Sequence, residues 1–205
     1  MQLNIIEFCL MNNNVRRFIQ EYYEFEILKK MIVSKQLHSV LEIGCGSGNG
    51  ARLINKHFKP EKMIGIDFDE RMIKRAKQRI SDPNIVFQRM DAAKLQFGDN
   101  SFDAVFDFGI IHHIPDWKTC ISEIKRVLKN GGELIIEDLS LNSFENFPGV
   151  VWKSLLAHPY EQMFTMDEFL EYLKEAGFII NSFKKFNPLK MINFFSLSAS
   201  SLEKK

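Results

Sequence analysis

Between residues 38 and 139, apolar runs of strand length alternate with amphipathic stretches of helix length. They read SVLEIG then GARLINKHF, KMIGID then ERMIKRAKQRI, IVFQRM, FDAVFDF then WKTCISEIKRVL, and ELIIEDL. Such alternation predicts right-handed crossover units and a mostly parallel sheet with helices on both faces. In WKTCISEIKRVL, Trp117, Cys120, Ile121, Ile124, Val127 and Leu128 make one stripe, Asp116 stands where a cap is needed, and the glycines of KNGG are expected to stop the helix. The last quarter departs from this pattern. TMDEFLEYLKEAGF predicts a helix ended by Gly177, and IINSFKKFNP and KMINFFSLSAS predict two strands turning at Pro188. With no helix between them, such strands pair antiparallel. The fold class expected is α/β, a Rossmann-like doubly wound sheet that ends in a hairpin.

Ahead of the sheet, residues 15 to 33 place Val15, Phe18, Ile19, Tyr22, Leu28, Met31 and Ile32 at helical spacings, so a leading helix is expected. The connection SLNSFENFPGVVWKSLLAHPYEQMF is longer than most, and reads either as a functional insertion or as a small extra helix over 149 to 157. With 27 Lys and Arg against 26 Asp and Glu, no basic surface concentrated enough to grip nucleic acid or an anionic membrane is visible. ERMIKRAKQR is read as a solvated helix face. Cys9, Cys45 and Cys120 fit neither a disulfide framework nor a zinc ribbon, and suit a reducing cytoplasm. The opening MQLNIIEFCLMNNN does not read as a signal peptide, and no run reaches the roughly 20 apolar residues of a membrane span.

The chemistry begins at GCGSGNG, placed where the first strand turns into a helix, the usual ligand position of an open α/β sheet. Counted from Gly44, the GxGxxG pattern fails at Asn49; counted from Gly46, it continues through Gly48 to Ala51 and satisfies the variant that ends in Ala. The glycines alone therefore leave a dinucleotide open, while a P-loop is dismissed for want of Gly-Lys-Ser/Thr. Asp67, at the end of the second strand, can accept hydrogen bonds from ribose hydroxyls; its other reading is a helix cap, for which Asp69 is better placed. Asp91 closes the third strand, where a carboxylate can accept from an exocyclic amine while the N–H of Ala92 meets a ring nitrogen. A loop and two acids on three successive strand ends predict a nucleoside pocket.

Taken in order, VLEIGCGSGNG, IGIDFDERMIKRAKQRI, MDAAKLQF, SFDAVFDFGIIHHIPDW, EIKRVLKNGGELII and FTMDEFLEYLKEAGF resemble class I S-adenosylmethionine-dependent methyltransferases, and more narrowly their quinone and sterol branch. That resemblance implies a seven-stranded sheet with an antiparallel last strand and S-adenosylmethionine as cofactor. It implies that Glu42 and Gly44 lie near the methionine moiety, with Gly46 and Gly48 in the adjoining loop. Asp67 would bind ribose, Phe68 or Met72 would pack on adenine, and Asp91 with Ala92 would read its edge. Phe108 and Gly109 would pass beside the sulfonium. Phe68 and Met72 read equally well as core residues, and Cys45 as a small filler. The chain then divides, within a single domain, into an N-terminal helical cap (1–37), a cofactor-binding core (38–139), an acceptor-side insertion (140–166) and a C-terminal helix with hairpin (167–205).

A sulfonium methyl is already electrophilic, so the protein chiefly aligns an acceptor and excludes water, with a base needed only where the acceptor loses a proton. His112 and His113 are the candidate bases, and they also read as structural residues. No third ligand clusters with them to hold a metal. Glu137 and Asp138 end the fifth strand and read either as facing the acceptor or as solvated carboxylates. His158, Tyr160, Tyr22 and Tyr23 lie in regions that close over the acceptor in the family. Phe18, Tyr22, Phe144, Phe147, Trp152 and Tyr160 suggest an apolar or planar small-molecule acceptor. The Asn/Asp-Pro-Pro-aromatic turn of DNA-base methyltransferases is absent after the fourth strand, which argues against nucleic acid. Two other readings stay open: a nicotinamide-dependent oxidoreductase and a non-catalytic nucleoside-binding module.

Overall fold

The computed structural model describes residues 13–34, 36–144, 150, 153, 159–186 and 194–202, and for residues 14–16 the backbone only. The opening stretch with Cys9, Phe147, Trp152, His158, most of the helix expected over 149 to 157, and the turn at Pro188 lie outside the described residues.

The leading helix forms, but not as one α-helix. It runs as α1 (Asn14–Ile19), a π-helical turn (Gln20–Glu24) and α2 (Phe25–Met31). A π turn inserts residues into the helical repeat and rotates the inward face. The apolar spacing read from the sequence therefore does not mark one buried face: Phe18 and Tyr22 are 62% and 65% exposed, while Gln20, Glu24, Phe25 and Leu28 are buried. Glu133 then ties the end of this helix to the sheet, its carboxylate accepting from the N–H groups of Val33 at 2.9 Å and Ser34 at 2.5 Å.

The core alternates β1 (Ser39–Ile43), α3 (Asn49–Phe58), β2 (Lys62–Asp67), α4 (Glu70–Arg79), β3 (Ile85–Arg89), β4 (Phe102–Phe108), α5 (Trp117–Val127) and β5 (Leu128–Asp138). After it come α6 (Met166–Glu175), β6 (Phe178–Phe186) and β7 (Phe194–Ser201). The seven strands line up as β3-β2-β1-β4-β5-β7-β6, with the first five parallel and β7 antiparallel to both neighbours. The chain moves outward from β1 to β3 and then crosses to β4. The switch point thus falls between β1 and β4, where a crevice opens at the carboxyl ends.

Each face of the sheet buries its own core. On one face Trp117, Cys120, Ile121 and Ile124 of α5 meet Phe169 and Leu173 of α6; on the other, Phe25 and Leu28 of α2 join Leu53 and Ile54 of α3 and Ile73 of α4. Full burial of such side chains contributes about 1.5–3 kcal/mol apiece.

Two helix ends follow different rules. Asp116 caps α5 as expected, accepting from Thr119 N–H at 3.2 Å, but the KNGG glycines do not stop it. Leu128 turns extended directly after Val127 and pairs with Phe102, and Gly131 takes its φ of +75° where the β4–β5 register shifts. In α6, Thr165 and Glu168 form a reciprocal capping box, and Gly177, at φ +83°, ends the helix as the sequence indicates.

Candidate active site

A cavity of about 360 Å³ opens at the carboxyl ends of β1 to β4. Most of the residues singled out in the sequence line it, and the glycines explain how. Gly44 has φ +61°, and a Cβ there would lie 2.5 Å from the Cβ of Ile110. Only glycine lets the turn after β1 pass under the turn after β4. Gly46 has open space where its side chain would be, room into which a ligand can bring its own atoms. Gly48 does not line the cavity: its missing Cβ faces Phe87 at 3.1 Å, so it serves packing and the left-handed N-cap of α3.

Glu42 points from β1 into this turn and is buried. A Cβ on Gly50 would meet Glu42 Oε1 at 1.9 Å, so the last glycine of GCGSGNG is what admits the carboxylate beside the start of α3. There it accepts from the Ala51 N–H, while Oε2 has no hydrogen-bond partner among the described residues. Burial, and then the charges of Asp67 and Asp107, push its pKa well above the usual carboxylate range. A buried acid with an open oxygen beside the cavity is an electrostatic vacancy for a cation.

Asp67 holds the loop in place. Its Oδ2 accepts from Gly46 N–H at 2.9 Å and its Oδ1 from Asp69 N–H at 2.8 Å, which leaves a second lone pair on each oxygen. Burial raises its pKa, and those two backbone bonds work against the rise. The cap of α4 falls to Asp69, which accepts from Arg71 N–H at 2.9 Å. Phe68 is 42% exposed, with the Arg89 guanidinium 5.7 Å over its ring, so it is not a core residue. Met72 is buried and also lines the cavity. Asp91 folds its own turn, accepting from Ala93 N–H at 2.9 Å, and stands exposed at the rim beside buried Ala92.

The end of β4 closes the other wall. Phe108, Gly109 and His113 line the cavity, and His112 lies buried behind them, its ring centroid 4.1 Å from that of His113. Fully buried Asp138 accepts from the backbone N–H of His112 at 3.1 Å and of Leu139 at 2.7 Å, and its carboxylate also pairs with His112 Nδ1. Burial raises Asp138 to about 7. Asp107 accepts from Ile110 N–H at 2.9 Å and is also pushed well up, by burial and by the neighbouring Asp138 charge. Glu137 is buried rather than solvated and does not line the cavity.

Arg17 and Gln20 of the leading helix also reach the cavity, which the sequence reading missed. Gln20 Oε1 accepts from Asn49 Nδ2 at 2.7 Å, and Glu21 pairs with Arg52 at 2.6 Å and Lys56 at 3.2 Å, fastening the helix across the glycine loop. The signal was present in two polar residues, Gln20 and Glu24, four apart in a stretch taken as an apolar face. Among the described residues no metal-binding cluster occurs.

This architecture and cavity define a nucleoside-binding domain with the class I methyltransferase fold. A crystal structure of an S-adenosylmethionine-dependent methyltransferase from Aquifex aeolicus shares it at a TM-score of 0.76 and 19% identity, over 98% of this chain and 100% of that one. Residues 41–136 match the family described as a methyltransferase domain. The chain is 33% identical over 139 residues to the phthiotriol/phenolphthiotriol dimycocerosates methyltransferase of Mycobacterium tuberculosis, spanning 67% of this chain and 50% of that protein. It is 36% identical over 149 residues to a sterol 24-C-methyltransferase of Gibberella zeae, spanning 68% of this chain and 39% of that protein. The chain thus covers half or less of the length of these relatives. It belongs, through residues 41–136, to the S-adenosylmethionine-dependent methyltransferase family.

Proposed function

We propose that this protein transfers the methyl group of S-adenosylmethionine to an apolar or planar small molecule. One observation carries the reading: a single cavity collects the glycine turn, Asp67 and Asp91 from the ends of three adjacent strands. Its donors and acceptors fit the nucleoside. Asp67 keeps lone pairs for two ribose hydroxyls, Phe68 or Met72 would pack on the adenine, and Asp91 with Ala92 would meet its edge. Glu42 supplies a carboxylate for the α-ammonium group, and Gly44 and Gly46 give the methionine carboxylate close access to backbone N–H groups.

Bound S-adenosylmethionine supplies a methyl group already activated by its sulfonium charge. The chain then has three tasks: to hold the acceptor in line, to keep water out, and to take a proton where the acceptor gives one up. Phe108 and Gly109 shape the wall beside the methyl group. His113, which faces the cavity, is placed to accept a proton from a hydroxyl, phenol or activated carbon. His112 and Asp138 stand behind it and fix the turn that carries it. The two relatives are named for phthiotriol and phenolphthiotriol dimycocerosates and for a sterol, which supports a small-molecule acceptor. Neither supports the oxidoreductase reading that the GxGxxA register left open. A reducing compartment suits Cys45 and Cys120, two buried free thiols.

The test is methyl transfer from isotopically labelled S-adenosylmethionine to a panel of sterols, quinones and long-chain alcohols. The proposal expects label in at least one apolar product and a lower rate for His113→Ala. Cofactor binding without transfer to any of them would favour a non-catalytic module.

A further inference from the structure

A second cavity, of about 490 Å³, lies beside the first and shares Arg17, Ser47 and Asn49 with it. Three guanidinium groups, from Arg17, Arg52 and Arg79, line it against one carboxylate, Glu21. They come from three segments far apart in sequence, so the fold builds a basic concavity where the linear charge pattern shows none.

The open donors are specific. Among the described residues Arg79 gives one side-chain hydrogen bond, from Nη1 to Ser47 Oγ at 2.6 Å. Arg52 uses Nε and Nη2 on Asn49 and Glu21 and leaves Nη1 unengaged among the described residues. Planar guanidinium forks match the paired oxygens of a phosphate better than a monatomic halide or an isolated hydroxyl. Next to them Phe18 and Tyr22 form a ring pair with centroids 4.6 Å apart, both rings largely exposed. Neighbouring exposed aromatic rings beside a basic pocket offer one surface to an apolar chain and another to its charged head.

We propose that this second cavity binds the phosphate group of an amphiphilic molecule, with Arg52 and Arg79 on the phosphate and the Phe18–Tyr22 pair against the apolar part. The two cavities adjoin at Arg17, Ser47 and Asn49, whereas Phe18, Tyr22, Arg52 and Arg79, on which the proposal rests, line the second and not the first.

Two probes test it on the full chain at low ionic strength: inorganic phosphate by calorimetry, and co-sedimentation with phosphatidylcholine vesicles made with and without phosphatidic acid. Phosphate is expected to bind at one site, and Arg79→Gln to weaken it about tenfold, the scale of one charge-assisted contact. Arg52→Gln is the second variant, and thermal unfolding reports whether each stays folded. Sedimentation only with phosphatidic acid vesicles, lost in a Phe18→Ala, Tyr22→Ala double variant, would make the source a lipid headgroup. Phosphate binding with no sedimentation would support the site and make the source a soluble phosphate ester. No phosphate binding, binding unchanged in both arginine variants, or binding displaced by S-adenosylhomocysteine would overturn the proposal.

Discussion

The two walls of the cavity are built on different principles. On the β1–β3 side Asp67 and Asp91 sit within two residues of a strand end and accept from backbone N–H groups: Asp67 from Gly46, 21 residues away, and from Asp69, and Asp91 from Ala93. On the β4–β5 side the turn that carries the histidines is held by a buried side chain, Asp138, which meets both the backbone N–H and the ring of His112. A wall of acids fixed by backbone N–H groups suits recognition of one invariant ligand. A buried network of raised carboxyls suits a wall that must present a base in one orientation, because any misplacement leaves a charge without a partner.

The strongest way to break this division is to disturb the point where the walls meet. Gly44→Ala adds a Cβ in a left-handed backbone, about 1–2 kcal/mol, and drives it into Ile110, about another 1–3 kcal/mol. A fall in melting temperature on the order of 10 °C is expected. A fall of only a degree or two would show that the two turns are not locked together.

Asp138→Asn sharpens the comparison next. Turnover is expected to drop about tenfold, comparable to losing one charged hydrogen bond, while affinity for S-adenosylhomocysteine changes less than about threefold. The same variant has a signature in pH. The folded value of Asp138, about 7, lies above its ordinary 3.8, so the folded state holds the proton more tightly. Its contribution to stability is complete below the ordinary value and is lost as pH rises through the folded one. Between pH 4 and pH 7 the melting temperature of Asp138→Asn should therefore gain on that of the unmodified protein, and a constant difference would count against a raised carboxyl.

The smallest effect belongs to the leading helix. Gln20→Ala removes its bond to Asn49, and a loss of about threefold to tenfold in cofactor affinity is expected from titration. No change would mean that the helix is only a neighbour of the loop.

The same contrast explains how much could be read in the sequence. The alternation of strands and helices, the terminal hairpin, Asp67 and Asp91 were all visible, because each depends on residues close in the chain. Gly48 was read as part of the cofactor loop and Gly50 was not singled out, yet one packs on Phe87 and the other admits Glu42; only the approach of distant elements shows this. Adjacent His112 and His113 likewise differ in which one a short 3-10 turn, Ile111–His113, aims at the cavity. The π turn at Gln20–Glu24 escaped because a helical repeat of 3.6 has no place for it, and with it went Arg17, Gln20 and the basic second cavity.

The most direct measurement is a calorimetric titration of the full chain with S-adenosylmethionine, S-adenosylhomocysteine and NAD, with Asp67→Ala as the control. The account predicts that both sulfur nucleosides bind, that NAD does not compete, and that Asp67→Ala weakens binding on the order of 100-fold, since it strips the ribose acceptor and orphans the Gly46 and Asp69 N–H groups. Binding of NAD alone, or sulfur-nucleoside binding untouched by Asp67→Ala, would contradict it.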